Sequence, residues 1–392
     1  MSEAVDVLHG KGAAYDSGID PACQLRSGRT ALLSCGHEDT RAALERAPLK
    51  IMHVILSRGF AGSERSTAES CNAQVSLGHD VMLVVRRSHR SHGQSIRDHL
   101  AAAVQVHEIN DRLWTQRQLR QAIESFRPDI IHTHLRRASR LIARIEPDAA
   151  TVATLHLSVN GRHYLKLDAL ICNARWQMRE IPATYQGLVF KADNSLVPHP
   201  RLGSEAVQRL RAELGAAPEE YLIGGVGRLA HSKGWDVLIE AFQQAHLPQA
   251  RCVILGEGRE RRRLETLAQG AVDLPGFRSN VKDYYQAFDL FVCPSRREPL
   301  PRVILEALDA GVPVVASTAD GCRELLEVYP GDLFPIEDAA ALAGLLRQHY
   351  EARTPHREVD LSAHHLDTTA RVLLERYVAV IAHRRQRAAH AR

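Results

Sequence analysis

Glu298 and Glu306 stand with seven residues between them in the stretch SRREPLPRVILEALDAGVPVVAS, residues 295–317. From Val303 to Leu308 every residue but Glu306 is aliphatic or alanine. A helix apolar on nearly every side is a buried helix, and a buried carboxylate is costly unless something bonds to it. Glu298 stands just before that helix, in the loop after the apolar run DLFVCPS. Carboxylates so placed accept hydrogen bonds from vicinal hydroxyls, which sugars and riboses offer. A second stretch, GVGRLAHSKG at residues 225–234, leaves a strand and enters a helix. Such a loop presents free backbone N–H groups and the positive end of a helix dipole, and Arg228 and Lys233 add two full charges. It suits phosphate, although the P-loop spacing G-x-x-x-x-G-K-[ST] is absent. The two loops together describe a ligand with a diphosphate in the middle and hydroxyl-rich rings at its ends, a nucleotide sugar.

The elements that must position these residues follow a regular alternation. KIMHVIL is a buried strand, SRGFAGSER a glycine-bearing loop, STAESCNAQVSLG a helix ended by Gly78, and HDVMLVV a second strand. Further strands are expected at VQVHEI, DIIHTH, TVATLHL, DALICN and GLVFKA, and a helix within WTQRQLRQAIESFRP. A proline-punctuated linker, NSLVPHPRLGSE, follows, and the pattern restarts. YLIGGVG, RCVILGEG, AVDLPG, DLFVCPS and PVVA are strands of the second series, with helices in WDVLIEAFQQA, RERRRLETLAQ, VKDYYQAF and the segment carrying Glu306. The fold class is α/β, with two doubly wound Rossmann-like domains facing one another across a cleft. The expected division is a poorly structured extension at 1–48, a first domain at 49–200, a second at 201–360, and a C-terminal helix at 361–392 packing back toward the first domain. Ligands of such folds sit at the carboxyl ends of the strands, so chemistry belongs in the loops that follow them.

With 392 residues the chain is long enough for two domains with separate cores. Fifty Lys and Arg against 46 Asp and Glu give a formal charge of +4, too small to argue for a nucleic-acid partner. The seven cysteines are scattered without a C-x-x-C pair and read as reduced thiols. Cys23, Cys35 and His37 match no zinc spacing. No apolar run is long enough to span a bilayer and the first residues lack a signal-peptide layout, so residence in the cytoplasm is expected.

GRLAHSKGWDVLIEAF, ILGEGRERRRLE, LPGF and EPLPRVILEALDAGVPVVAS resemble the C-terminal domain of the retaining glycosyltransferases of family 4, which have the GT-B fold. FAGSER resembles the Gly-Gly-x-Glu-Arg loop of that family's N-terminal domain, and the likeness covers about residues 49–385. The resemblance implies that Arg228 and Lys233 hold the donor diphosphate, Glu306 the ribose hydroxyls and Glu298 the transferred sugar. It makes His156 the histidine beside that sugar and Gly62 part of the loop that approaches diphosphate and acceptor. The family has glycines after its first glutamate, whereas Pro299 and Pro301 stand here. Proline has no N–H, so amide contacts to the sugar would come from Leu300 or Arg302. Ala61 replaces the first glycine of the N-terminal loop.

HTHLRR, residues 132–137, faces the same cleft on this topology. His134, Arg136 and Arg137 are the candidate acceptor-binding residues, suited to a phosphorylated or acidic acceptor. One of His132 and His134 is expected to point into the site, and the pair makes a poor metal site, with no carboxylate close in sequence. The variant EPLPRVILEA resembles glycosyltransferases of lipopolysaccharide core assembly, which implies a lipid-linked acceptor at the inner face of the membrane. No cofactor and no metal are required by the sequence, since no D-x-D stands in a suitable loop. A nucleotide-sugar epimerase and a non-catalytic nucleotide-sugar binding protein share the architecture. A nicotinamide oxidoreductase would need G-x-G-x-x-G after its first strand, which SRGFAGSER lacks.

Overall fold

The computed structural model describes residues 47–91, 93–110 and 114–390. The readings of Cys23, Cys35, His37 and most of the extension therefore lie outside the described residues. The first domain holds strands β1 (Lys50–Ile55), β2 (Asp80–Arg86), β3 (Gln105–Ile109), β4 (Ile130–His134), β5 (Ala150–Leu155), β6 (Ala169–Cys172) and β7 (Leu188–Lys191). Its helices are α1 (Gly62–Ser76), α2 (Thr115–Phe126), α3 (Leu135–Ile145) and α4 (Arg175–Arg179). The second holds β8 (Tyr221–Val226), β9 (Ala250–Leu255), β10 (Val272–Gly276), β11 (Leu290–Cys293), β12 (Val314–Ser317) and β13 (Asp332–Phe334). Around them lie α5 (Ser204–Glu213), α6 (Trp235–Ala245), α7 (Arg261–Ala268), α8 (Val281–Tyr285), α9 (Arg302–Asp309), α10 (Asp320–Leu326) and α11 (Ala339–Ala352). A long helix, α12 (Leu366–His390), ends the described chain.

Both sheets pair in parallel, seven strands in the order β3-β2-β1-β4-β5-β6-β7 and six in the order β10-β9-β8-β11-β12-β13. Strand order reverses between β1 and β4 and between β8 and β11, and ligands of open α/β sheets bind at such switch points. The loops that leave these four strands are the four the sequence singles out: FAGSER after β1, HTHLRR at the end of β4, GRLAHSKG after β8 and SRREPLP after β11. The doubly wound α/β fold read from the alternation is the fold observed.

Two local differences have physical causes. α1 begins at Gly62, four residues earlier than the sequence pattern places it, because Glu64 reaches back to accept the Ala61 N–H at 3.1 Å and starts the helix inside the loop. α12 buries Ala370, Leu373, Leu374, Tyr377 and Val380, and the leucines, Tyr377 and Val380 join the apolar cluster of the first sheet. Among the described residues no helix is long and apolar enough to cross a membrane.

Candidate active site

After β8 the chain turns through Gly234, whose φ of +67° and close approach to the Pro294 carbonyl leave no room for a side chain: a Cβ there would stand 2.0 Å from that oxygen. The next loop clamps this one. Arg296 donates through its amide to the Ser232 carbonyl at 2.9 Å and through its guanidinium to the His231 carbonyl at 2.7 Å. The Trp235 indole N–H bonds the Arg228 carbonyl at 2.9 Å. Arg228 is exposed, and no hydrogen bond or ion pair engages its side chain among the described residues. Lys233 pairs with Glu298. Burial opposes the lysine's charge, but Glu298 outweighs it and holds its pKa above the usual lysine range.

Glu298 and Glu306 are each 6% exposed. Glu298 accepts the Ser295 hydroxyl at 2.8 Å beside its lysine. Glu306 accepts the Tyr285 hydroxyl at 3.0 Å and the Arg65 guanidinium at 3.2 Å. Tyr285 is driven well above the tyrosine range by burial and then by Glu306, so its hydroxyl stays a donor. The segment between the glutamates is fixed from the first domain. The Trp176 indole N–H bonds the Pro299 carbonyl at 3.0 Å, and Asn194 donates to the Leu300 carbonyl at 2.6 Å. Arg302, first residue of α9, pairs with Glu69 at 2.7 Å.

On the facing side Gly62 is open, with nothing within 4 Å of where a Cβ would sit. His156 follows β5, and its Nε2 is buried without a hydrogen-bond partner. Burial, opposed by nearby Glu64, lowers its pKa to about 4, so the ring is neutral at pH 7. Buried polar atoms are as a rule hydrogen-bonded, so this nitrogen is available to a water or a ligand. The His134 ring lies 6.0 Å from it.

The expectation that one of His132 and His134 points into the site is corrected: residues two apart on a strand share a face, and both rings lie with His53 of β1 in a buried stack. His134 Nε2 bonds His53 Nδ1 at 2.9 Å, and His53 Nε2 bonds the Gln74 carbonyl oxygen at 2.8 Å. His132 bonds Thr154 at 2.7 Å and the Tyr377 hydroxyl. Ring nitrogens of all three lie within 4.8 Å of one another, a juxtaposition that the sequence, without the partner from β1, did not reveal. Beyond His134 the chain enters α3 directly through Leu135, at φ +65°. Arg136 is exposed there, while Arg137 is half-buried and already engaged.

Residues 207–362 match the family of Glycosyl transferases group 1, and residues 60–193 match Glycosyltransferase Family 4. The chain carries a Glycosyltransferase Family 4 domain followed by a Glycosyl transferases group 1 domain. The lipopolysaccharide core biosynthesis glycosyltransferase LpsE of Rhizobium meliloti is 24% identical over 312 residues, covering 76% of this chain and 88% of that one. Among solved structures, Anabaena HepE in complex with UDP and glucose superimposes with a TM-score of 0.67 at 20% identity, over 88% of this chain and 99% of that one. WaaG, a glycosyltransferase involved in lipopolysaccharide biosynthesis, does so with a TM-score of 0.61 at 16% identity, over 86% and 98%. These structural likenesses establish the GT-B fold. Both matched domains are glycosyltransferase domains, which leaves the epimerase and binding-protein readings unfavoured.

Proposed function

We propose that this glycosyltransferase moves a hexose from a nucleotide diphosphate sugar to a lipopolysaccharide core precursor, with retention of anomeric configuration. The observation that carries the reading is the set of groups at the second switch point: buried carboxylates in the loop after β11 and in α9, and two cations in the loop after β8, opposite a neutral histidine with an unpartnered nitrogen. In this reading Glu306 takes the ribose diol, while Glu298 and His156 bond the sugar hydroxyls. The amides of Leu300 and Arg302 stand beside that sugar, and Gly62 lets the chain approach the phosphates. Cleavage of the bond between the anomeric carbon and the phosphate oxygen leaves a nucleoside diphosphate. Its charge is met by Arg228, Lys233 and the amino end of α6, with no call on a metal ion. The acceptor hydroxyl attacks from the same face, and its proton passes to the departing phosphate oxygen. The transition state has oxocarbenium character, by analogy with glycoside hydrolysis.

The acceptor enters from the first domain past Arg136, which is exposed, with His134 and Arg137 behind it. The likeness to LpsE supports an acceptor of core type, and in this reading a lipid-linked acceptor brings the enzyme to the inner face of the membrane. The test is transfer from a panel of nucleotide sugars to truncated core oligosaccharide, with the anomeric proton of the product followed by NMR. Retention, undiminished by EDTA, is the expected result. Inversion or strict dependence on a divalent cation would overturn the mechanism, and donor turnover without acceptor would point to epimerisation.

A further inference from the structure

Helix α1 carries Arg65 and Glu69 one turn apart, and helix α9 carries Arg302 and Glu306 at the same spacing. Residues four apart share a helix face, so each helix presents one cation and one carboxylate to its partner. The two faces pair crosswise between the domains: Arg65 with Glu306 at 3.2 Å, and Glu69 with Arg302 at 2.7 Å. The two bridges differ in what else they touch. Glu69 also accepts the Ser195 hydroxyl at 3.0 Å, in the segment that joins the domains. Glu306 offers one oxygen to Arg65 and the other to the Tyr285 hydroxyl. A carboxylate accepts at about four lone-pair positions, so two remain for a vicinal diol. The other cation near this cluster, Lys282, donates to the Val197 carbonyl at 2.8 Å, which leaves Arg65 as the cation bonded to Glu306.

Building on the assignment of Glu306 to the donor ribose, we propose that Arg65 is a positioning residue for the donor nucleotide. Reaching across from the first domain, it fixes the Glu306 carboxylate in the orientation that receives the ribose hydroxyls. Nucleotide affinity then depends on apposition of the two domains, although no group of the first domain need touch the ribose. The Glu69–Arg302 bridge is the structural half of the same clasp and holds the helices together without acting on the ribose.

The test is calorimetric binding of whichever of UDP, GDP, ADP and CDP raises the melting temperature most, to the full chain and four variants. Arg65→Met is expected to weaken binding roughly tenfold or more, the scale of one hydrogen bond to a charged group. Arg65→Lys should recover part of that loss, and Glu69→Gln should leave affinity within about twofold while lowering the melting temperature. Glu306→Gln separates the layers of the argument. If it weakens binding and Arg65→Met does not, the positioning role is refuted and the donor site stands. If Glu306→Gln changes nothing, or no nucleoside diphosphate binds, the assignment of the ribose site itself fails. Equal losses in Arg65→Met and Glu69→Gln would make Arg65 a strut between domains, and tighter binding by Arg65→Met would make it a competitor of the nucleotide. Either result overturns the proposal.

Discussion

Lys233 and Glu298 show how one residue pair serves a site before its ligand arrives. A lysine whose pKa is held up by a neighbouring carboxylate is a full charge at every physiological pH. In the proposed mechanism this lysine, on the same loop as the exposed Arg228, meets the charge of the departing diphosphate. Lys233→Ala should therefore lower kcat by roughly 10²-fold or more, the scale of a lost preorganised donor. Single-turnover transfer measures this, and near-normal turnover would place the phosphate elsewhere. The residue types at this scale were legible in the sequence because their loops are short and each follows an apolar strand. Their partners were not. Tyr285 lies 21 residues from Glu306, and Arg65 lies 241 residues away on the other domain. No spacing rule reaches across such distances.

At the scale of elements, most strands were legible as apolar runs, whereas β13, three residues long and only partly buried, was not, and the switch points are visible only in the sheet order. Less legible was what β1 and β4 do together. His53, His132 and His134 share one face of two neighbouring strands, with His53 opposite His132 in register. Burial lowers the His53 pKa to about 4 and pushes His132 and His134 well below their usual value, with neighbouring histidines adding to the effect on those two. Each is depressed in the folded protein, so the unfolded chain binds more protons between about pH 6.5 and about pH 4. Stability is then fully present above the unfolded value and declines as the pH falls through that window, by up to ~1.4 kcal/mol per pH unit for each histidine. Urea unfolding at pH 7.5, 6.5 and 5.5 should show this decline, and His53→Asn should flatten it. A stability independent of pH over that range would contradict the assignment of neutral buried rings.

At the scale of the whole molecule, the last helix closes the first domain. Tyr377 of α12 reaches the histidine stack, bonding His132 and accepting from Gln74 at 3.4 Å. Tyr377→Phe leaves the His132 ring nitrogen unpaired in the core and should cost about 1–3 kcal/mol of unfolding free energy. An unchanged unfolding midpoint would show that α12 is held by its apolar face alone. The domains themselves are stitched by the segment between the glutamates, through Trp176, Asn194 and the clasp of α1 with α9. The alternation of strands and helices announced two domains, whereas the contacts that join them depend on side chains brought together only by the fold. The central claim, that this joint holds a nucleotide sugar with Glu298 at its sugar end, is tested most directly by a paired measurement on Glu298→Gln. Calorimetric binding of the free nucleoside diphosphate should stay almost unchanged, while single-turnover transfer to the acceptor should fall sharply, kcat and kcat/KM together. Equal loss in both would make Glu298 a support for the whole pocket, and loss in neither would contradict the assignment.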